Sequence, residues 1–108
     1  MTAYLISICR SVSDRGRLED YWAHAAPSFE GFDAKPLAAY APFEVLEGVA
    51  DAKGIVLFEF PSMEAAKRWY FSDAYQKVKQ RRLGAAKFEL ILVDGGWKPA
   101  AERMPDTR

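Results

Sequence analysis

The sequence predicts an α+β fold, an antiparallel four-stranded sheet with both helices on one face, and three observations carry that prediction. Stretches 3–9, 55–60 and 88–93 read as short strands, and 35–47, with two prolines among aromatic and aliphatic residues, reads as a bent edge strand. Two longer stretches, starting at Asp14 and Ser62, place apolar residues at three-and-four spacing behind capping residues. Glycine and proline punctuate the joins, so the signals alternate as β-α-β-β-α-β.

Each element follows from its residues. Ala3 to Cys9 reads as the first strand. Ser11 to Asp14 supply a cap, and Leu18, Tyr21, Trp22, Ala25 and Phe29 share one helical face. Pro27 removes a backbone donor and crowds the preceding turn, which predicts a kink or a stop and restart, with Gly31 ending the helix. Pro36 and Pro42 suit an edge strand broken or bulged near Pro42. Gly48 to Gly54 reads as a hairpin loop leading into the third strand. Ser62 caps the second helix with Glu64 in its first turn, and Ser72-Asp73 repeats the cap signal, which predicts a break into two pieces. Gly84 closes the second piece. Residues 1–95 thus form one domain, and most of the polar tail, 96–108, is expected to stay disordered.

That order of elements is the ferredoxin-like arrangement, reached by right-handed crossovers. Alternation along the strands sorts Tyr4, Ile6 and Ile8 with Val56, Phe58 and Phe60 and with Phe88, Leu90 and Leu92 beneath the helices. The open face is then expected to hold Leu5, Ser7, Cys9, Ile55, Leu57, Glu59, Glu89, Ile91 and Val93. A sheet face with so many aliphatics calls for a cover, and a second copy of the chain supplies it most economically. A homodimer through the open sheet face is expected, its two sheets closing into a barrel-like shell.

Composition narrows the function classes. Fifteen basic residues balance fifteen acidic ones, which gives no net field for nucleic acid or an anionic membrane. The open-face residues do not offer the paired aromatics that stack RNA bases. No window reaches the length of a membrane span, the first residues lack a signal-peptide pattern, and the lone Cys9 forms no internal disulfide. A soluble, cytoplasmic chain is the expectation. One histidine and one cysteine leave no metal site to expect.

Several separated blocks carry a resemblance: Tyr4-Leu5-Ile6, Glu44 to Gly48, Glu59-Phe60-Pro61-Ser62, Glu64-Ala65-Ala66, Trp69-Tyr70, Ser72, Tyr75-Gln76 and Arg82. From Ala3 to Gly95 the chain resembles the domain of unknown function 1330 family, within the dimeric α/β barrel superfamily. The resemblance implies the same fold and pairing. It implies no single activity, since superfamily relatives include cofactor-independent monooxygenases, isomerases of small ring compounds and haem proteins. The haem-binding relatives have their histidine on the later helix, where this chain has Trp69, Tyr70 and Tyr75. No cofactor is expected.

The candidate site residues each carry two readings. Trp69, Tyr70 and Tyr75 could stack on a flat ligand or simply fill the core. Ser72 could line a ligand site or cap a helix. Arg82 could clamp a carboxylate or phosphate with its planar fork, or pair with Glu59 or another acid. Glu59 could act as a general base or satisfy backbone donors at the helix start, and His24, the sole histidine, is a second acid–base candidate. Together they point to a small homodimer that binds a small aromatic or acidic molecule between sheet and second helix. Cofactor-independent monooxygenase-like or isomerase-like chemistry is the class those parts support. The alternative is a non-catalytic structural or interaction dimer.

Overall fold

A computed structural model describes residues 1–48 and 51–103. The elements in chain order are β1 (Ala3–Val12), α1 (Arg15–Ala25), a 3-10 turn (Ala26–Phe29), β2 (Lys35–Ala39), β3 (Gly54–Phe60), α2 (Met63–Tyr70), α3 (Asp73–Lys79) and β4 (Ala86–Asp94). The sheet runs β2-β3-β1-β4, with every neighbouring pair antiparallel. This is the ferredoxin-like fold, with three helices where the second predicted one is divided.

The caps that the sequence announces are made. Asp14 accepts from the Arg17 amide, Ser62 from Ala65 and Ser72 from Tyr75, each satisfying a first-turn donor that the helix leaves free. Pro27 divides the first helical stretch by stop and restart: α1 ends at Ala25, and Pro27 stands in the first turn of the 3-10 segment, where its missing donor is not needed. Gly84, at φ 84°, turns the chain from α3 towards β4.

The expectations for the second strand and for the faces of the sheet need correction, and the tail gains a short turn. The second strand ends at Ala39 and its irregularity falls between Pro36 and Ala38, while Pro42 lies beyond it. What ends the strand is Tyr40, whose positive φ of 56° takes the backbone out of the extended region. The described part of the tail is ordered as a 3-10 turn, Ala100–Glu102, with the Arg103 guanidinium 4.9 Å from the Trp97 ring centroid. Residues 49 and 50 of the expected hairpin loop and 104–108 of the tail lie outside the described residues.

The other correction concerns the two faces of the sheet. Cross-strand partners share a face, and the register places Leu5 between Phe58 and Leu92, Ser7 between Val56 and Leu90, and Cys9 between Gly54 and Phe88. Leu5 and Phe60 pack with Ala66, Trp69 and Tyr75 of the helices, so this is the covered side. Tyr4, Ile6 and Ile8 therefore face away from the helices, the reverse of the expected phase for β1. Both alternating sets of this central strand are apolar enough to be buried, so its own sequence does not decide its phase; only pairing with its neighbours does. The open face consequently carries the rows Leu57–Ile6–Ile91, Glu59–Tyr4–Val93 and Ile55–Ile8–Glu89. It is more apolar than the expected set, because Tyr4, Ile6 and Ile8 replace Leu5, Ser7 and Cys9. Ile91 remains 50% exposed and Val93 44% exposed on the single chain.

Candidate functional site

The strand order opens a cavity of about 500 Å³ between the covered face of the sheet and α1 with its 3-10 extension. Leu5, Ser7, Val56, Phe58 and Leu90 form its floor. Tyr21, Trp22 and Phe29 form the helical wall, Trp69 and Tyr75 reach it from α2 and α3, and Tyr40 lies at the end of β2. Its surface is nearly all apolar, and its volume is in the range of small-molecule sites.

The Pro27 turn builds one wall. It brings Phe29 flat between two other rings, 4.4 Å from Trp69 at 8° and 4.5 Å from Phe58 at 15°. The Trp69 indole N–H donates to Ser28 Oγ at 3.2 Å, and that hydroxyl donates to the Ala25 carbonyl at the end of α1. Buried donors are thereby matched, which fixes the indole's orientation.

A polar cluster stands at the other wall. Tyr75 is fully buried, and its hydroxyl lies 2.9 Å from that of Tyr21 while accepting from Arg82 Nη2 at 3.3 Å. Arg82 is 5% exposed, and its Nε has no hydrogen-bond partner. Its guanidinium lies 5.1 Å from the Phe88 ring centroid and 5.5 Å from that of Tyr21. Among the described residues it makes no ion pair, so the expected partnership with Glu59 or another acid is absent. Aromatic faces and a phenol oxygen take the place of the carboxylate that a buried guanidinium ordinarily requires. Burial, then the neighbouring Tyr75, holds the Tyr21 hydroxyl well above the usual tyrosine range, so Tyr21 remains a neutral donor.

The remaining sequence candidates lie elsewhere. Glu59 is on the open face between Tyr4 and Lys35, across the sheet from Arg82. His24 is exposed on α1, its Nδ1 2.9 Å from the Asp20 carbonyl oxygen, and it does not line the cavity. The Ser72 hydroxyl is committed at both ends, donating to the Trp69 carbonyl at 2.6 Å and accepting from the Tyr75 amide at 3.2 Å. Tyr70 packs against Trp69 and Tyr75 and accepts from Lys79 Nζ at 2.9 Å, outside the cavity lining. Of the seven candidates, then, only Trp69 and Tyr75 reach the cavity, with Arg82 directly behind Tyr75.

Sequence reasoning missed five contributors as site residues. Tyr21, Trp22 and Phe29 were visible as the apolar face of the first helix, and Phe88 as a strand residue beneath the helices, with no signal that they surround open space. Tyr40 is a fifth, and nothing in its local sequence marks it. Its hydroxyl accepts from the Trp22 indole at 3.0 Å, with the rings edge to face at 5.0 Å. A Cβ on Gly54 would overlap the Tyr40 ring, so that glycine makes the close approach possible. Beyond the Trp22–Tyr40 pair lies a second hollow of about 570 Å³, edged by Cys9, Arg15, Leu18 and Lys53. Cys9 is nearly fully buried there, and burial raises its thiol above the usual range, which leaves it a poor nucleophile.

The family described as a domain of unknown function, DUF1330, matches residues 2–96. The chain belongs to that family. Among curated proteins nothing matches the sequence. The DUF1330 chain is similar in structure to a protein of unknown function from Rhodopseudomonas palustris, with TM-score 0.66 and 19% identity over 91% of this chain and 84% of that one. It is also similar to SnoaB, a cofactor-independent oxygenase from Streptomyces nogalater, with TM-score 0.64 and 10% identity over 92% and 97% of the two chains. A dimeric ferredoxin-like protein of unknown function from Jannaschia sp. CCS1 gives TM-score 0.62 and 10% identity over 88% and 100%. At such identities the likeness is one of fold. Among the described residues no helix is long and apolar enough to cross a membrane.

Proposed function

We propose that this DUF1330 chain acts as a homodimer whose subunits each bind a small, flat aromatic molecule in the cavity between sheet and helices. The chemistry that such a site serves is cofactor-free, in the manner of oxygenases or isomerases that act on an activated ring. The observation that carries the reading is a 500 Å³ apolar hollow walled by Tyr21, Trp22, Phe29 and Tyr75, with a buried arginine behind one end. Rings that served only as core would close upon one another, because interiors pack to crystal density. SnoaB, similar in fold, is a cofactor-independent oxygenase, which supports that reaction class. The pairing is supported by the apolar rows of the open face and by the dimeric protein of the same fold. In this reading Trp69 and Tyr75 hold the walls, Tyr21 meets the ligand and Arg82 supplies charge, while Glu59 and His24 have no part at the cavity.

A second reading is favoured by one observation: Ser72 is fully used as a cap, and Trp69 and Tyr70 as packing. On that reading the protein is a non-catalytic dimer. A thermal-shift screen of small aromatic acids and quinols separates the two. A ligand at about 100 times its Kd is expected to raise the wild-type melting temperature by several degrees. Ala25→Phe, which fills the cavity from α1, abolishes the shift, and Glu59→Gln on the far face preserves it. A screen with no stabilising compound supports the non-catalytic dimer.

A further inference from the structure

Hydrogen counting at the polar wall identifies the ligand's chemistry more closely, given the cavity as the ligand site. The Tyr21 and Tyr75 hydroxyls bring two hydrogens, and only one of them can lie along the 2.9 Å contact between the two oxygens. Arg82 cannot accept the other, because guanidinium has donors alone and already donates to Tyr75. Among the described residues no further side chain or carbonyl accepts from either hydroxyl. Tyr75 is fully buried and Tyr21 only partly, so with Tyr75 donating along that contact the leftover hydrogen belongs to Tyr21, which lines the cavity and can turn it inward. An oxygen in the cavity can accept it.

The charges around the site give the sign of that oxygen. Among the described residues Arg82 is buried without an acid, and its Nε is unpartnered. The other titratable group on the cavity is Tyr40, and the adjoining hollow adds Cys9, Arg15 and Lys53. Among the described residues no carboxylate lines either space. Positive charge in an apolar enclosure therefore meets no negative charge from the protein, and an anionic oxygen stabilises both the cation and the free hydroxyl.

We propose that the cavity binds hydroxyarenes as their phenolates, the ligand oxygen accepting from the Tyr21 hydroxyl, which Tyr75 holds with Arg82 behind it. The proton given up by the phenol leaves to solvent. Tyr21 is the binding group, Tyr75 is the positioning residue that orients its hydroxyl, and Arg82 acts through Tyr75.

The test uses 4-nitrophenol, whose phenolate has its own visible absorbance, beside nitrobenzene, which has the same ring without the hydroxyl. On the full chain the bound nitrophenol is expected to titrate about 1 unit or more below the free compound and to bind about tenfold or more tighter than nitrobenzene. Tyr21→Phe and Tyr75→Phe keep the ring packing. Each is expected to reduce nitrophenol affinity about tenfold and leave nitrobenzene within about twofold, with the circular dichroism spectrum unchanged. Arg82→Gln is expected to return the bound pKa to that of the free compound; if that variant does not fold, the two phenylalanine variants still decide. Equal binding of both probes, an unshifted or raised pKa, or phenylalanine variants that bind as wild type would overturn the proposal while leaving the cavity as an aromatic site. Failure of both probes to bind would remove the cavity reading itself.

Discussion

Ile91→Asp is expected to leave the chain monomeric at concentrations where the wild type is expected to sediment as a dimer. Ile91 closes the row Leu57–Ile6–Ile91 across the open face and is half exposed on the isolated chain. Two-fold pairing of that face would bury one new carboxylate from each copy against aliphatic side chains, with no cation in the row to meet it. Removing the match on both sides is worth several kcal/mol, so dimer dissociation is expected to rise about 100-fold or more. Lys67→Asp on exposed α2 changes charge more and is expected to leave assembly alone. Sedimentation equilibrium reads both. A wild-type chain that is monomeric well above micromolar concentration would end the pairing proposal.

Trp69→Ala is expected to have the largest effect on stability. The indole is 2% exposed, stacks on Phe29, contacts Phe60 and Tyr75 and donates to Ser28. Truncation leaves a void beside the existing cavity, where the wall cannot collapse without losing the Phe29 stack, and strips Ser28 of its donor. Loss of a buried large aromatic costs about 3–5 kcal/mol, a large part of the roughly 5–15 kcal/mol that holds a domain together. Phe71→Ala, a ring 69% exposed at the end of α2, is expected to change stability by less than about 0.5 kcal/mol. Urea unfolding at constant slope measures both; a Trp69→Ala loss under about 1 kcal/mol would show that the stack does not hold the wall.

How much of this was legible beforehand depended on whether the signal was local. Caps are local, and Asp14, Ser62 and Ser72 were readable because each bonds an amide three residues on. The Pro27 restart was readable for the same reason: proline acts on its own turn. The phase of β1 was not, because Tyr4-Ile6-Ile8 and Leu5-Ser7-Cys9 are both buriable sets and the choice is made by Phe58 and Leu92, far along the chain. The consequence reached the site. Glu59 and Arg82 looked like neighbours in a reading where strand three leads straight into the helix, yet a strand offers two sides and they occupy opposite ones. Arg82 was recognisable as unusual, but its lack of an acid partner follows from the surrounding rings of Tyr21 and Phe88, contributed by two distant elements. Tyr40 was invisible, since its role depends on a left-handed backbone turn and on Gly54 leaving room for its ring.

Whether the covered face holds an aromatic-binding cavity is read by isotope-filtered NOE spectra of the full chain with nitrobenzene. Cross-peaks are expected from the probe to the Trp22, Phe29 and Phe58 rings. Cross-peaks to Ile6, Leu57 and Ile91 on the open face instead, or none to the cavity rings at saturating probe, would rule the cavity out as the binding site.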